Sequence, residues 1–179
     1  NPCGKLTMTF PRNLGQVPIH YDAKNTGRPY TPGQGEQHYV SRYLNEPTAT
    51  PLYPFGYGLS YTTFEYSDLK VAPEKTDMKQ PVAVTVTVKN TGKVRGTEVV
   101  QLYVRDLVAS VTRPTRQLKG FERVTLEPGE SREVSFTITS DAVGFYRQDM
   151  SFGYEPGDFK VWAGGSSDAA LEGSFEITK

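Results

Sequence analysis

Val82, Val84, Val86 and Val88 alternate without a break with Ala83, Thr85, Thr87 and Lys89, and this run restricts the fold more than any other feature of the chain. A period of two sends β-branched side chains to one face and small or polar ones to the other, the mark of a half-buried strand rather than a helix. The pattern recurs. Val100, Leu102 and Val104 alternate with Gln101, Tyr103 and Arg105, and Val134, Phe136 and Ile138 alternate with Glu133, Ser135, Thr137 and Thr139. Leu118–Leu126, Val143–Arg147, Asp158–Gly164 and Leu171–Thr178 are further strand candidates, while Asn90-Thr91-Gly92, Pro128-Gly129 and Pro156-Gly157 supply turns. Seven or eight short strands with no helical stretch, from about Phe64 onward, predict an antiparallel β-sandwich.

Strands at this spacing fit immunoglobulin or fibronectin III architecture, without the cysteine pair of antibody domains. Residues 1 to about 62 read differently. Pro2, Pro11, Pro18, Pro29, Pro32, Pro47, Pro51 and Pro54 each remove a backbone donor and fix φ, so at most short strands fit, around Leu6–Phe10 and Val17–Tyr21. Yet Phe10, Tyr21, Tyr30, Tyr39, Tyr43, Tyr53, Phe55, Tyr57 and Tyr61 crowd the same stretch. Rings in a segment without its own core need another surface to pack on. The expected organisation is therefore a wrapping segment over 1–62, belonging to something larger and absent, and a sandwich domain over 63–179.

Twenty Lys+Arg balance twenty Asp+Glu in 179 residues. No net field exists to hold nucleic acid or an anionic membrane surface. No apolar run is long enough to span a bilayer, and the opening Asn1-Pro2-Cys3-Gly4 has no export-signal character. A start at Asn suggests a processed or excised piece. Cys3 is the only cysteine and His20 and His38 the only histidines, so neither a disulfide nor a zinc-ligand spacing is available, and no metal site or cofactor is expected. Cys3 reads as an incidental thiol and the two histidines as structural ones, since no nucleophile lies near either in sequence.

Hydrolysis of a glycosidic bond requires two carboxyl groups facing one bond. Glu36 and Glu46 lie in the irregular half; Asp106, Glu122, Asp141, Asp149 and Glu155 lie in turns or at strand ends, where a solvated surface charge is the expected role. No nucleophile elbow, phosphate loop or dinucleotide fingerprint is present, and Gly56 and Gly58 read as turn glycines. No catalytic residue is therefore assigned. Tyr53, Phe55, Tyr57, Tyr61 and Trp162 present rings on which a pyranose can stack, but packing is the expected task of each. Two loops stand out: Asp106–Pro114 is long and carries apolar residues, which predicts docking on a neighbour, and Gln34–Tyr39 with Arg42 is polar and a candidate border of a pocket.

Particular strings carry more than composition does. Asn1-Pro2-Cys3-Gly4-Lys5-Leu6-Thr7-Met8-Thr9-Phe10-Pro11-Arg12, Gly15-Gln16-Val17-Pro18-Ile19 and Asn25-Thr26-Gly27-Arg28-Pro29 resemble the end of the α/β sandwich domain of glycoside hydrolase family 3 β-glucosidases. Leu52-Tyr53-Pro54-Phe55-Gly56-Tyr57-Gly58-Leu59-Ser60-Tyr61-Thr62 resembles the linker that follows it. Gly96-Thr97-Glu98-Val99-Val100-Gln101-Leu102-Tyr103-Val104 and Arg116-Gln117-Leu118-Lys119-Gly120-Phe121 resemble that family's terminal fibronectin III-like domain. The likeness is nearest to the bacterial periplasmic type. It implies the C-terminal structural portion of a retaining enzyme acting on terminal non-reducing β-D-glucosyl residues. An Asp nucleophile and a Glu acid/base would both lie upstream of Asn1. It further implies the remainder of the same enzyme and a β-glucoside oligosaccharide as partners, a homodimer as a possible assembly, and a periplasmic or secreted location. Position 3, Cys where the family often has Ser, departs from the pattern at a small-residue turn. The competing reading is a stand-alone carbohydrate-binding or adhesion module, which would not carry sixty coreless aromatic-rich residues exposed.

Overall fold

The computed structural model describes residues 1–31, 37–43 and 48–179. Ten strands follow one another: β1 (Phe64–Ala72), β2 (Lys75–Thr76), β3 (Val82–Asn90), β4 (Gly96–Asp106), β5 (Gln117–Leu126), β6 (Ser131–Ile138), β7 (Phe145–Tyr146), β8 (Phe152–Gly153), β9 (Gly157–Gly164) and β10 (Leu171–Ile177). They form a three-stranded sheet in the order β1-β3-β6, a five-stranded sheet in the order β2-β10-β9-β4-β5, and a small β7-β8 ribbon. Every pairing is antiparallel except the short contact of β2 with β10.

The predicted alternation sets the core. Val82, Val84, Val86 and Val88 have no solvent exposure, and their register against Ile138, Phe136, Val134 and Arg132 lines the inward rows of β3 and β6 side by side. From the other sheet Val100, Leu102, Val104, Phe159, Val161, Phe175 and Ile177 fill the same interior, with Phe159 and Phe175 stacked at 5.0 Å. Each such side chain contributes about 1.5–3 kcal/mol by leaving water. Asn90, at the end of β3, is also fully buried and fully used. Its Oδ1 accepts from Thr62 Oγ1 (2.6 Å) and Gly92 N (3.1 Å), and its Nδ2 donates to the carbonyls of Val94 (2.9 Å) and Leu126 (3.0 Å).

Local details differ from the expectations. The expected strands around Leu6–Phe10 and Val17–Tyr21 do not form: a single bridge joins Phe10 to Tyr53, and the intervening residues make one 3-10 turn, Leu14–Gln16, capped by Asn13. Pro18 lacks the amide that a ladder at Val17–Tyr21 would use. The expected strand over Val143–Arg147 shrinks to Phe145–Tyr146. Residues Ser140–Val143 form one helical turn (α1), its N-terminus capped by the Thr139 hydroxyl.

β4 departs most informatively from a half-buried strand. Its inward residues are buried, and so are Gln101 (3% exposed) and Tyr103 (0%) on the face that a two-layer sandwich leaves wet. A third layer must cover that face, and residues 1–62 supply part of it.

Candidate docking interface

The covering layer is anchored by polar side chains of β4. Gln101 Nε2 donates to the carbonyl oxygens of Gly56 (3.1 Å) and Gly165 (2.7 Å), and its Oε1 accepts from the Tyr103 hydroxyl. Gly56 has φ +79°, and a Cβ there would collide with the Gln101 amide, so the linker approaches the sheet this closely only through glycine. Tyr21 stacks on Phe55 (4.2 Å between centroids) and meets Tyr103 edge-on (6.0 Å). Lys5 pairs with Glu98 at 2.6 Å with both side chains largely buried, and Glu98 also accepts from the Val99 amide (2.7 Å). Beside them the Tyr66 hydroxyl is buried without a partner. Burial, and then the Glu98 charge, push its pKa far above the usual phenol range.

Trp162 belongs to the same face and is 7% exposed. Its Nε1 donates to Glu172 (2.9 Å) and the Arg116 guanidinium lies over its ring at 4.1 Å. Arg116 Nη1 in turn holds the carbonyls of Ser167 and Ala169. The ring is thus packed, as expected.

The expectation that the aromatic segment packs only on an absent body needs correction: Tyr21 and Phe55 lie against this chain's own sheet. Other apolar side chains of the segment remain uncovered. Met8, Leu14, Val17, Leu59 and Tyr61 are each more than half exposed, and Phe10, Leu52 and Tyr53 are about 40–46% exposed. Leu6–Phe10 runs beside Leu52–Tyr57 through hydrogen bonds between Leu6 and Tyr57, Leu6 and Gly56, and Phe10 and Tyr53, which holds Met8, Phe10, Leu52 and Tyr53 in one ribbon. Tyr53 stacks on Tyr57 (5.0 Å) and meets Phe10 at 6.4 Å. A contiguous apolar strip of this kind marks an interaction surface.

The loop from Asp106 to Pro114 is tied to this chain on both sides. Lys24 bridges Pro114, and the Thr115 amide and hydroxyl donate to the Ala23 carbonyl. Glu155, after β8, accepts from Ser110 N (2.8 Å), Ser110 Oγ (2.6 Å) and Arg147 Nε (3.2 Å), and these bonds hold its pKa below the usual carboxylate range. Val108 remains 79% exposed at the loop tip.

Asp106 is not the solvated charge expected of it. It is 8% exposed, and neither carboxylate oxygen has a hydrogen-bond partner. Burial raises its pKa to about 6, against the opposing pull of the Val108 amide, which lies near without bonding geometry, and of Arg113. The Arg113 Nε is likewise buried and unpartnered, while its guanidinium caps the Phe145 ring at 4.5 Å. A raised Asp106 beside a lowered Glu155 has the divergence of an acid and a nucleophile. Access argues otherwise: the Asp106 oxygens meet no solvent, and Glu155 is spent on Ser110 and Arg147. The pair organises a loop.

The remaining candidates do not converge. Glu122 is exposed on β5, Asp141 is exposed in α1, and Asp149 turns the β7-β8 connection by accepting from Ser151. Glu36 and Glu46 lie outside the described residues, as do Gln34 and Gly35 of the polar loop, whose Gln37 exchanges hydrogen bonds with Thr31. His20, His38 and Arg42 are exposed, and the half-buried Cys3 thiol accepts from Arg123 (3.2 Å). Among the described residues no three His, Cys, Asp or Glu side chains gather in a metal-binding group, and no helix is long and apolar enough to cross a membrane.

Comparison with known proteins adds what geometry does not. Residues 98–167 match the family model of the fibronectin type III-like domain. The sandwich is fibronectin type III-like over that stretch. Around it the whole chain is similar to longer enzymes. It is 49% identical over 177 residues to the periplasmic β-glucosidase of Salmonella typhimurium, covering 99% of this chain and 23% of that one. A β-xylosidase of Formosa agariphila is 48% identical over 169 residues, covering 94% and 22%. The crystal structure of a β-glucosidase from Listeria innocua in complex with glucose superposes with a TM-score of 0.92 at 41% identity, over 99% of this chain and 24% of that one. The chain thus spans under a quarter of the length of these relatives, and its fibronectin type III-like domain and the preceding segment are matched together.

Proposed function

We propose that this chain is a structural, non-catalytic portion of a retaining β-glucosidase of glycoside hydrolase family 3. The intact enzyme would hydrolyse terminal non-reducing β-D-glucosyl residues, with both reacting carboxylates in the rest of the polypeptide. The observation that carries this reading is the exposed apolar ribbon of Leu6–Phe10 and Leu52–Tyr57, in a chain whose relatives continue for more than three times its length. That ribbon is the docking face for the α/β domain, to which Leu6–Phe10 would add a last strand. The division falls near residues 62 and 63: the segment lies between the sheet and the α/β domain, packed on the first through Tyr21 and Phe55, and the fibronectin type III-like domain folds by itself. A periplasmic or secreted location accords with the name of the Salmonella typhimurium relative.

Complementation tests the reading. The purified chain should not hydrolyse an aryl β-glucoside, because retention requires a carboxylate pair about 5–5.5 Å apart with room for the sugar. Mixed or co-expressed with the remaining three-quarters of a family 3 enzyme, it should bind and restore activity. Hydrolysis by the chain alone, abolished by substituting one of its own carboxylates, would overturn it, and so would an absence of association.

A further inference from the structure

The outward row of β4 runs Gln101, Tyr103, Arg105, and the covering segment engages the first two and leaves the third. Among the described residues the Arg105 guanidinium makes no hydrogen bond, ion pair or ring contact, although the side chain is half-buried in the wall of a cavity of about 500 Å³ between residues 1–62 and the sheet. Its neighbours add to the imbalance. Lys160 stands directly opposite on β9, and Arg116 lies close enough for the two guanidinium charges to repel. Like charges opposed across a ladder are destabilising. Lys160 is offset by Glu172 at 2.7 Å, and Arg116 by Asp168 and Glu172, two exposed carboxylates. Three cationic side chains thus meet two acidic ones, and the unmatched charge is that of Arg105.

A guanidinium that has lost part of its water is matched best by a carboxylate, whose two oxygens take a pair of parallel N–H donors in one plane. The segment lying over the cavity brings none: Asp22, its one carboxylate among the described residues, is exposed and lines the neighbouring cavity. The chain spans under a quarter of its relatives, so a larger body is there to supply the acid. An apolar ribbon gives that body area to bury, whereas a single unmatched charge fixes the register in which it settles. We propose that Arg105 is the electrostatic anchor of the docking interface and receives one Asp or Glu side chain of the α/β domain. The inference rests on the docking reading and adds to it the chemistry of one contact.

Association of the full 179-residue chain with the remainder of a family 3 enzyme is measured by calorimetry, beside urea unfolding of the chain alone. Arg105→Gln should leave the urea midpoint where it is and weaken association by about tenfold or more, as the loss of a charge-assisted hydrogen-bonded pair does. Arg105→Lys should recover part of the loss, and added salt should weaken the parent more steeply than the Gln variant. Inorganic phosphate titrated into the isolated chain should give no saturable heat. A Gln variant that associates like the parent refutes the anchor and leaves the docking reading intact, whereas a parent that does not associate removes both. A Gln variant whose free chain unfolds at lower urea would show Arg105 already paired within this chain. Saturable phosphate binding that Arg105→Gln abolishes would assign the site to a free anion. Either of these last two results overturns the proposal.

Discussion

Replacing Asp106 by Asn should stabilise the chain near neutral pH and leave it unchanged in acid. The carboxyl has a folded pKa of about 6 against 3.8 as its ordinary value, so the folded state holds the proton more tightly than the unfolded one. For an acid shifted in this direction the penalty is absent below about pH 4, grows as pH rises, and is complete above about pH 6. At 1.36 kcal/mol per unit the cost approaches about 3 kcal/mol at pH 7.5. Asn escapes the charge and keeps an unpartnered polar group in the same place, as the protonated carboxyl does in acid, so that desolvation cost cancels and the gain at pH 7.5 should approach the same figure of about 3 kcal/mol. Urea unfolding of parent and variant at pH 4.5, 6 and 7.5 isolates the effect, because the other titrating carboxylates cancel in the difference. The advantage of the variant should increase with pH and level off above pH 6. A difference that does not vary with pH, or a variant whose relative stability falls as pH rises, would refute the assignment of a buried, unpaired carboxylate.

Gln101→Leu should release the linker from the sheet by orphaning the Gly56 and Gly165 carbonyls, at about 1–3 kcal/mol; proteolysis within residues 1–62 should accelerate while the sandwich stays resistant. Glu155→Gln should raise hydrogen exchange in the Asp106–Pro114 loop. In the parent the same loosening should come with acid, since a depressed carboxylate pKa gives stability that is present above the ordinary value and lost as pH falls through the folded one. A fragment of residues 63–179 should unfold cooperatively on its own; failure to fold would move the proposed boundary into the segment.

The half of the design that alternates was legible. Val82–Val88 could face only one way, and the inward rows of β4 and β6 followed. The other face of β4 was not, because period two assigns Gln101 and Tyr103 to solvent unless something covers them, and the cover comes from residues more than forty positions away. Asp106 was misread for a related reason: a strand-end aspartate is ordinarily solvated, and only the path of the following loop buries it. α1 is a single turn, too short to show a helical period, although its Thr139 cap is visible in hindsight. The likeness of particular strings to a family reached what no periodicity reached, the match of nearly the whole chain to part of longer enzymes.

The relatives also bear on which part of such an enzyme chooses the sugar. Identity to a protein named for glucosides is 49% and to one named for xylosides 48%, over nearly the same residues. Glucose and xylose differ by a hydroxymethyl group, and a site that reads such a group does so with a few contacts whose loss is felt sharply. Overall likeness is the same to both, so the fold and core of this segment are compatible with either name. Gln101 with Gly56, Tyr21 with Phe55 and Lys5 with Glu98 hold the linker, and through it the apolar ribbon, in one place on the fibronectin type III-like domain. On this account substitutions in the ribbon should alter the stability of the assembled enzyme and leave its preference between glucosides and xylosides where it was.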